Sequence, residues 1–301
     1  MKAFFVLAGF VLLAAACSNE CELTVVENNG EQTVAPVTVR VDDFSVTQEE
    51  LPSGGGMTRS VEEVADYASV KAMTLAFYSE GKEVYKQTQL KDDHTTYITF
   101  GEFSCNLPVG SYTMVVVGRD YYDNDVFVLT SPTEAGYTSE RPRETFTKTQ
   151  TVTIASATPV NFSVALDRVN AQVQIISTDT RPEEAKTIKT TYSKGSKGFS
   201  PTSGLATDDN GFSVSINPNV AVGKTINLAS NLFLSTDQET MTITIQTLDA
   251  DGHVLVTKVV PNVPLQRNCK TVLTGTVFTG GSGSGAFQLE TSWLTNISVD
   301  F

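Results

Sequence analysis

His94 and His253 are the two histidines of the chain and its first candidates for general acid–base chemistry. His94 lies in a polar stretch and His253 follows a turn signal, and neither shares a recognisable catalytic motif with a serine or a carboxylate. Members of a catalytic triad can lie far apart in sequence, so spacing alone does not exclude one. Because so few general bases are present, we expect a protein that is not an enzyme and that uses no cofactor.

Metal and phosphate sites have equally little support from residue spacing. Acidic residues cluster at positions 120–125 and 249–251, but neither cluster has the ligand spacing of a calcium loop. Residues 194–198 combine lysine with glycine, but their spacing differs from that of a phosphate-binding loop. We therefore predict no metal site.

Cys17 is the residue with the clearest predicted chemistry. A positive start and an apolar run through Ala16 have the shape of an export signal that is too short to span a membrane. The small residues before Cys17 resemble a bacterial lipobox, whose cysteine is acylated. Leu13 lies one position further from Cys17 than the usual lipobox leucine, so a plain secretory signal cut near Ala16 is the alternative. We predict a lipoprotein signal peptide at residues 1–16 and lipidation of Cys17.

Composition restricts the partners and the redox chemistry. Three further cysteines, Cys21, Cys105 and Cys269, are odd in number and allow no complete disulfide framework, so we expect buried thiols. The formal net charge of −13 argues against nucleic acid, whose phosphates would repel the protein. The chain of 301 residues is long enough for two ordinary domains. Its many threonine, valine and serine residues favour strands.

Residues 287–301 show the most regular alternation in the chain, typical of a strand with one buried face. Fully extended, they would span about 50 Å, against about 17–20 Å for an ordinary strand. A glycine- and serine-rich hinge at residues 280–285 precedes them. The strand either closes its own sandwich or pairs with an edge of another copy. Its apolar-face residues include Phe287, Leu289, Trp293, Ile297, Val299 and Phe301.

A second alternating strand is predicted near the N-terminus, at residues 34–48. Its apolar positions change phase after residues 42–43, as a β-bulge would cause, and they are Val37, Val39, Val41, Phe44 and Val46. Residues 51–60 contain Pro, Ser and three consecutive Gly, which predicts an exposed loop open to proteases. Arg59-Ser60 is a trypsin-like cleavage point there, with an uncut linker as the alternative. Ser60 and Glu63 could cap one helical turn.

The rest of the chain is dominated by strands and turns. Residues 70–79 and 83–90 form a predicted hairpin, and an Asp-Gly turn joins residues 241–248 to 253–260 in another. Residues 145–154 form a further strand. We interpret 166–168 as the crossing between two domains, and 178–211 as loop-rich.

In this order the features resemble those of fimbrillin-type subunits from Bacteroidales-type bacteria. The features that carry the resemblance are the Cys17 lipobox, the Thr58-Arg59-Ser60 segment, the hairpin from Met73 to Tyr85, LDRVNAQV from Leu166 and VPLQRNCKTVLTG from Val263. The resemblance implies an all-β chain with two tandem transthyretin-like β-sandwiches at residues 60–168 and 169–301. It also implies a leader at 17–59, cut between Arg59 and Ser60.

The resemblance further implies how the subunits join. Cleavage releases the removable strand of residues 34–48, and the donor strand of residues 287–301 of another subunit fills the vacated groove. The expected partners are other fimbrial subunits and a host or bacterial surface receptor, at the outer membrane or in the fimbrium. Membrane contact is expected only through the lipid anchor before processing. The alternative is a surface glycan-binding lipoprotein that stacks sugars on Trp293 and on Tyr121-Tyr122.

Overall fold

A computed structural model describes residues 33–48, 58–63, 67–93, 95, 97–121, 127–138, 141–280, 283–284 and 288–293. Throughout these ranges the chain consists of strands and their connections, which confirms the predicted all-β class. A search of the described residues for a helix with the length and apolarity to span a membrane finds none.

The strands are numbered in chain order. Their bounds are β1 Val34–Gln48, β2 Thr58–Glu63, β3 Ala72–Ser79, β4 Lys82–Leu90, β5 Glu102–Pro108, β6 Gly110–Arg119, β7 Phe127–Ser131, β8 Glu134–Tyr137, β9 Thr145–Ile154, β10 Val160–Arg168, β11 Ala171–Ser177, β12 Thr187–Tyr192, β13 Gly198–Phe199, β14 Phe212–Ile216, β15 Asn227–Leu232, β16 Gln238–Leu248, β17 Val254–Gln266, β18 Cys269–Gly275, β19 Gly283–Ser284 and β20 Gln288–Trp293.

The first sheet has eight strands in the order β2-β1-β10-β9-β6-β3-β4, with β5 also paired to β1. β10 pairs with β9 only through Asp167 and Arg168, the last two residues of β10. The sheet therefore bends sharply between these two strands. Apolar residues of β1, β5 and β10 thereby pack against those of β3, β6 and β9 in one core. This folding of a sheet onto itself gives a sandwich-like arrangement.

Two further sheets enclose the second large core. Their orders are β15-β11-β18-β20 and β14-β12-β16-β17-β19. β11 shows the period expected of a half-buried strand, with Val173 and Ile175 buried and their neighbours along the strand half-buried. Inward-facing residues of β11 and β18 meet those of β12, β16 and β17.

A small sheet, β13-β8-β7, joins the two parts of the chain. β8 pairs with β13 from the later half, and the β7–β8 hairpin contributes to a third core with the second face of β3 and β6. Phe199 and Phe233 stack there with ring centroids 4.5 Å apart. The predicted division into domains at residues 168 and 169 stays a prediction.

The predicted hairpins are confirmed. Glu80 and Gly81 between β3 and β4 both have positive φ, 50° and 79°, as a two-residue turn of the primed type requires. β16 and β17 pair across the predicted Asp-Gly turn, and β9 has the predicted bounds. Cys269 is buried and Cys105 is half-buried.

Residues 178–211 are loop-rich as predicted, although β12 forms a central strand within them. Two local predictions are wrong. Ser60 and Glu63 do not cap a helical turn, since both belong to β2. Residues 58–60 are likewise not loop but the start of that strand. In both regions pairing with a neighbouring strand decides the backbone conformation over local propensity.

Candidate functional site

β1 lies inside the first sheet, although it is the first of the described strands. Along one edge it pairs in parallel with β10, from Val37 to Ser45. Along its other edge it pairs antiparallel with β5 as far as Arg40, and with β2 from Asp43 onward. The backbone of β1 is therefore hydrogen-bonded on both sides. Removing the strand would leave a groove with unpaired donors and acceptors along its walls.

The inward face of β1 is shielded from water. Val37, Val39 and Val41 are 1%, 0% and 3% exposed, and Phe44 is 0% exposed. The ladder to β10 shifts between Val41 and Asp43, which confirms the predicted bulge. The extra residue returns Phe44 to the core side, so these four side chains belong to one buried face.

Phe44 fills an aromatic pocket at one end of this face. Its ring centroid lies 5.0 Å from that of Tyr67 and 4.9 Å from that of Phe146. A Cβ on Gly118 would lie 3.1 Å from Phe44 Cε1 and 3.1 Å from Leu166 Cδ1. Since such contacts are tighter than ordinary packing, glycine at position 118 leaves the room that the Phe44 ring occupies.

An ion pair between a buried arginine and a partly buried glutamate borders the Phe44 pocket. Arg168, with a side chain that is 1% exposed, lies 2.6 Å from Glu144. Its guanidinium also lies 4.9 Å from the centroid of the Phe146 ring. Tyr67 donates a 3.0 Å hydrogen bond to Glu144 Oε1 and accepts one from Arg168. Burial, together with the charge of Glu144, raises the pKa of Tyr67 well above its usual value, so its hydroxyl stays protonated.

Arg168 also connects the pocket to the later half of the chain. Its Nη1 donates a 3.0 Å hydrogen bond to Asn268 Oδ1, in the turn between β17 and β18. The Asn268 N–H donates to the Asn170 carbonyl at 2.9 Å, and Asn170 Oδ1 accepts the Thr145 N–H at 2.9 Å. The LDRVNAQV and VPLQRNCKTVLTG segments thus meet beside the groove. Both segments stand out in the sequence, but nothing in their spacing indicates that they touch.

The predicted cleavage point lies in the strand next to β1. Arg59 pairs with Thr47 and Ser60 with Val46, so both residues belong to β2, the edge strand of the first sheet. An edge strand has one unpaired side, which leaves its backbone open to another chain. Cys17, the predicted lipidation site, lies outside the described residues.

β20 carries the described part of the predicted donor strand. It pairs antiparallel with β18, with Leu289 opposite Leu273 and Trp293 opposite Cys269. Leu273 and Cys269 of β18 are both buried. Among the described strands β20 is the edge of its sheet. The other predicted donor residues lie outside the described residues, namely Phe287, Ile297, Val299 and Phe301.

Asp179 holds the segment that leads to β20. Its carboxylate accepts the N–H groups of Val277, Phe278 and Thr279 at 2.9, 2.9 and 2.7 Å, and the Thr279 hydroxyl at 2.8 Å. Partial burial favours a higher pKa, but these hydrogen bonds outweigh it and keep the pKa of Asp179 below its usual value. A lone aspartate in a polar stretch gives no sequence signal of this role, so it was missed.

The acidic cluster at residues 249–251 and His253 form an ordinary turn. Asp249 accepts the N–H groups of Asp251 and His253 at 2.9 and 2.8 Å, and its second oxygen lies 3.2 Å from His253 Nδ1. Potential ligand atoms of these three residues lie within 4.8 Å of one another, but the Asp249 hydrogen bonds account for the cluster as a closed turn. His94 and Tyr122 lie outside the described residues, and Tyr121 lies 5.5 Å from the Arg119 guanidinium.

Residues 38–299 match the model of a family of unknown function, DUF6562. The chain belongs to this family. The match spans both the β1 groove and the β20 segment. A search of curated protein sequences finds no match.

Solved structures identify the fold of this family member. A candidate adhesin from Bacteroides ovatus is similar with a TM-score of 0.52 and 12% identity, over 89% of this chain and 97% of that chain. A candidate polysaccharide-binding protein from Bacteroides thetaiotaomicron has a TM-score of 0.49 and 10% identity, over 87% and 99%. The fimbrial anchor protein Mfa2 from Porphyromonas gingivalis has a TM-score of 0.47 and 10% identity, over 86% and 98%. The first of these similarities shows a fold shared with that Bacteroides ovatus protein. The resemblance to fimbrillin-type subunits in role stays a prediction.

Proposed function

We propose that this protein is a structural subunit or adhesin of a surface fimbria, assembled by donor-strand exchange after proteolysis in its leader. The observation that carries the proposal is the position of β1. It is the first of the described strands, it nevertheless sits between other strands, and the apolar residues from Val37 to Phe44 are buried. A strand in that place can leave only if another strand takes over its hydrogen bonds and its contacts.

The energetics favour replacement over an empty groove. Burial of a Val- or Phe-sized side chain contributes about 1.5–3 kcal/mol, so four such residues contribute about 6–12 kcal/mol before the entropy of ordering the chain is subtracted. The net stability of a domain is about 5–15 kcal/mol. Loss of β1 would therefore remove much of the stability of the first core. An equivalent strand from another copy would restore it.

The connection of β1 to the rest of the chain supports processing at Arg59. β1 and β2 pair in antiparallel register around the intervening residues, and Arg59 is the second residue of β2. A cut after Arg59 separates β1 from Ser60 and all that follows. We further propose that Cys17 is lipidated, that the protein is carried to the cell surface, and that it has no catalytic role.

Limited trypsin treatment of the purified full-length protein tests this function. We expect a cut after Arg59, release of the N-terminal fragment and multimers that resist sodium dodecyl sulfate without heating. Arg59→Ala is the matched control and should stay uncut at this position and monomeric. A protein that is cut after Arg59, loses its N-terminal fragment and remains monomeric would refute assembly by strand exchange.

A further inference from the structure

The groove left by β1 imposes a specific order of side chains. Val41, Asp43 and Phe44 lie opposite three consecutive residues of β10, Val164 to Leu166. Asp42 is the bulge residue and takes no place in this ladder. A replacement strand without a bulge would therefore need a small apolar residue, any residue, and then an aromatic residue in direct succession.

The predicted donor stretch ends in this order. Residues 40–44 read R-V-D-D-F, and residues 298–301 read S-V-D-F. The later segment has one aspartate fewer than residues 40–44. This difference of one residue equals the single extra residue of the bulge in β1. The later segment also lies within the long alternating stretch at residues 287–301, so its valine and phenylalanine share one face of a strand.

We propose that residues 295–301 of a second copy enter the groove in the direction of β1, with Phe301 in the Phe44 pocket. This inference rests on the proposed function and specifies its donor and register. The remaining apolar correspondences are Val299 with Val41, Ile297 with Val39 and Thr295 with Val37. Each places a β-branched side chain where a valine is buried now.

The Phe44 pocket sets the register because it is the part of the groove that accommodates an aromatic ring. Tyr67 and Phe146 contact the ring at 5.0 and 4.9 Å, and Gly118 leaves room beside it. Moving the donor by two residues would put Val299 in this pocket and leave a cavity. A cavity of that kind costs as much as a large-to-small core substitution.

Disulfide trapping reads this register directly. Ser163 of β10 is exposed and lies opposite Arg40. In the proposed register Ser298 of the donor takes the position of Arg40. Opposed Cα atoms on neighbouring strands are about 5 Å apart, within the range of a disulfide. Full-length Ser163→Cys/Ser298→Cys protein is cut with trypsin, allowed to assemble and oxidised. We expect cross-linked multimers on non-reducing gels, and none from uncut protein.

Two matched variants represent the competing registers. With Ser163→Cys, Glu290→Cys cross-links if Trp293 fills the pocket and the donor runs in the direction of β1. Asn296→Cys cross-links if Trp293 fills the pocket and the donor runs in reverse. Multimers that cross-link through Glu290→Cys or Asn296→Cys overturn the proposed register. Multimers that form without any of the three cross-links also overturn it. Neither result contradicts strand exchange itself. Absence of multimers after release of the leader refutes the proposed function itself.

Phe301→Ala gives an independent measurement. Loss of a buried phenylalanine should weaken retention of the donor about a hundredfold or more, seen as multimers that dissociate at lower temperature in sodium dodecyl sulfate. Ser298→Ala, on the outward face of the same segment, should behave like the unmodified protein. Equal dissociation temperatures for the two variants would place Phe301 outside the pocket and overturn the proposal.

Discussion

Phe44→Ala is the substitution that most directly tests how β1 is held. Phe44 is 0% exposed and packs between the Tyr67 and Phe146 rings. Truncating a buried phenylalanine to alanine costs about 3–5 kcal/mol, because the contacts are lost and a cavity remains. That is a large part of the roughly 5–15 kcal/mol that stabilises an ordinary domain. We therefore expect β1 to be the first described strand of this sheet to open in the variant.

Urea titration with hydrogen exchange of β10 measures the effect locally. With a slope of about 2 kcal/mol per molar urea, the loss corresponds to a midpoint lower by about 1.5–2.5 M. β10 is the appropriate reporter because its ladder to β1 runs the length of the groove. Trypsin should also cut Phe44→Ala after Arg59 faster than it cuts the unmodified protein, since cleavage follows the population of open molecules.

Val34→Ala is the matched control on the same strand. Val34 is 49% exposed, so its truncation should move the midpoint by a small fraction of the Phe44→Ala shift. The reasoning would be refuted if both variants lost β10 protection at the same urea concentration. A Phe44→Ala protein with unchanged protection would mean that this pocket does not hold β1.

Three further substitutions test the surroundings of the groove and the root of β20. Gly118→Ala should lower thermal stability by about 1–3 kcal/mol through overpacking, because its Cβ would lie 3.1 Å from Phe44 Cε1; an unchanged melting temperature would contradict this. Glu144→Gln leaves Arg168 buried without its anion and should cost about 3–5 kcal/mol, measured by urea unfolding; a cost below 1 kcal/mol would show that the pair is dispensable. Asp179 has a lowered pKa in the folded protein, so it contributes stability above its unfolded pKa of about 3.9 and loses it as pH falls through the folded value. Asp179→Asn should therefore be less stable than the unmodified protein at pH 7 and approach it in acid, in thermal unfolding series across pH; a difference that persists at the lowest pH would contradict this linkage.

Several elements of the fold could be predicted because their signals are local. The β3–β4 and β16–β17 hairpins are marked by turn residues between strand-forming stretches, and turn geometry fixes their register. The bulge in β1 is readable for a similar reason, since one extra residue reverses which side chains face inward. In each case the information lies within about a dozen neighbouring residues.

β12 shows where local reading fails. Its buried residues Ile188, Thr190 and Tyr192 alternate with half-buried ones, but the stretch is short and lies among polar residues. Only its pairing with β14 and β16 makes it a strand. The same holds for the network around Arg168, which combines side chains from four separate parts of the chain. Their meeting depends on how the sheets pack, and no spacing in the sequence encodes it.

The alternation of apolar and polar residues was enough to predict that this chain forms strands. It also predicted which side of β1 is apolar, because side-chain direction along a strand follows from backbone geometry alone. Tertiary structure decided that β1 lies between β10 on one edge and β5 and β2 on the other, and that Phe44 meets Tyr67 and Phe146. Those contacts join residues far apart in the chain. They form because the folded sheet buries apolar surface that no single strand can bury alone.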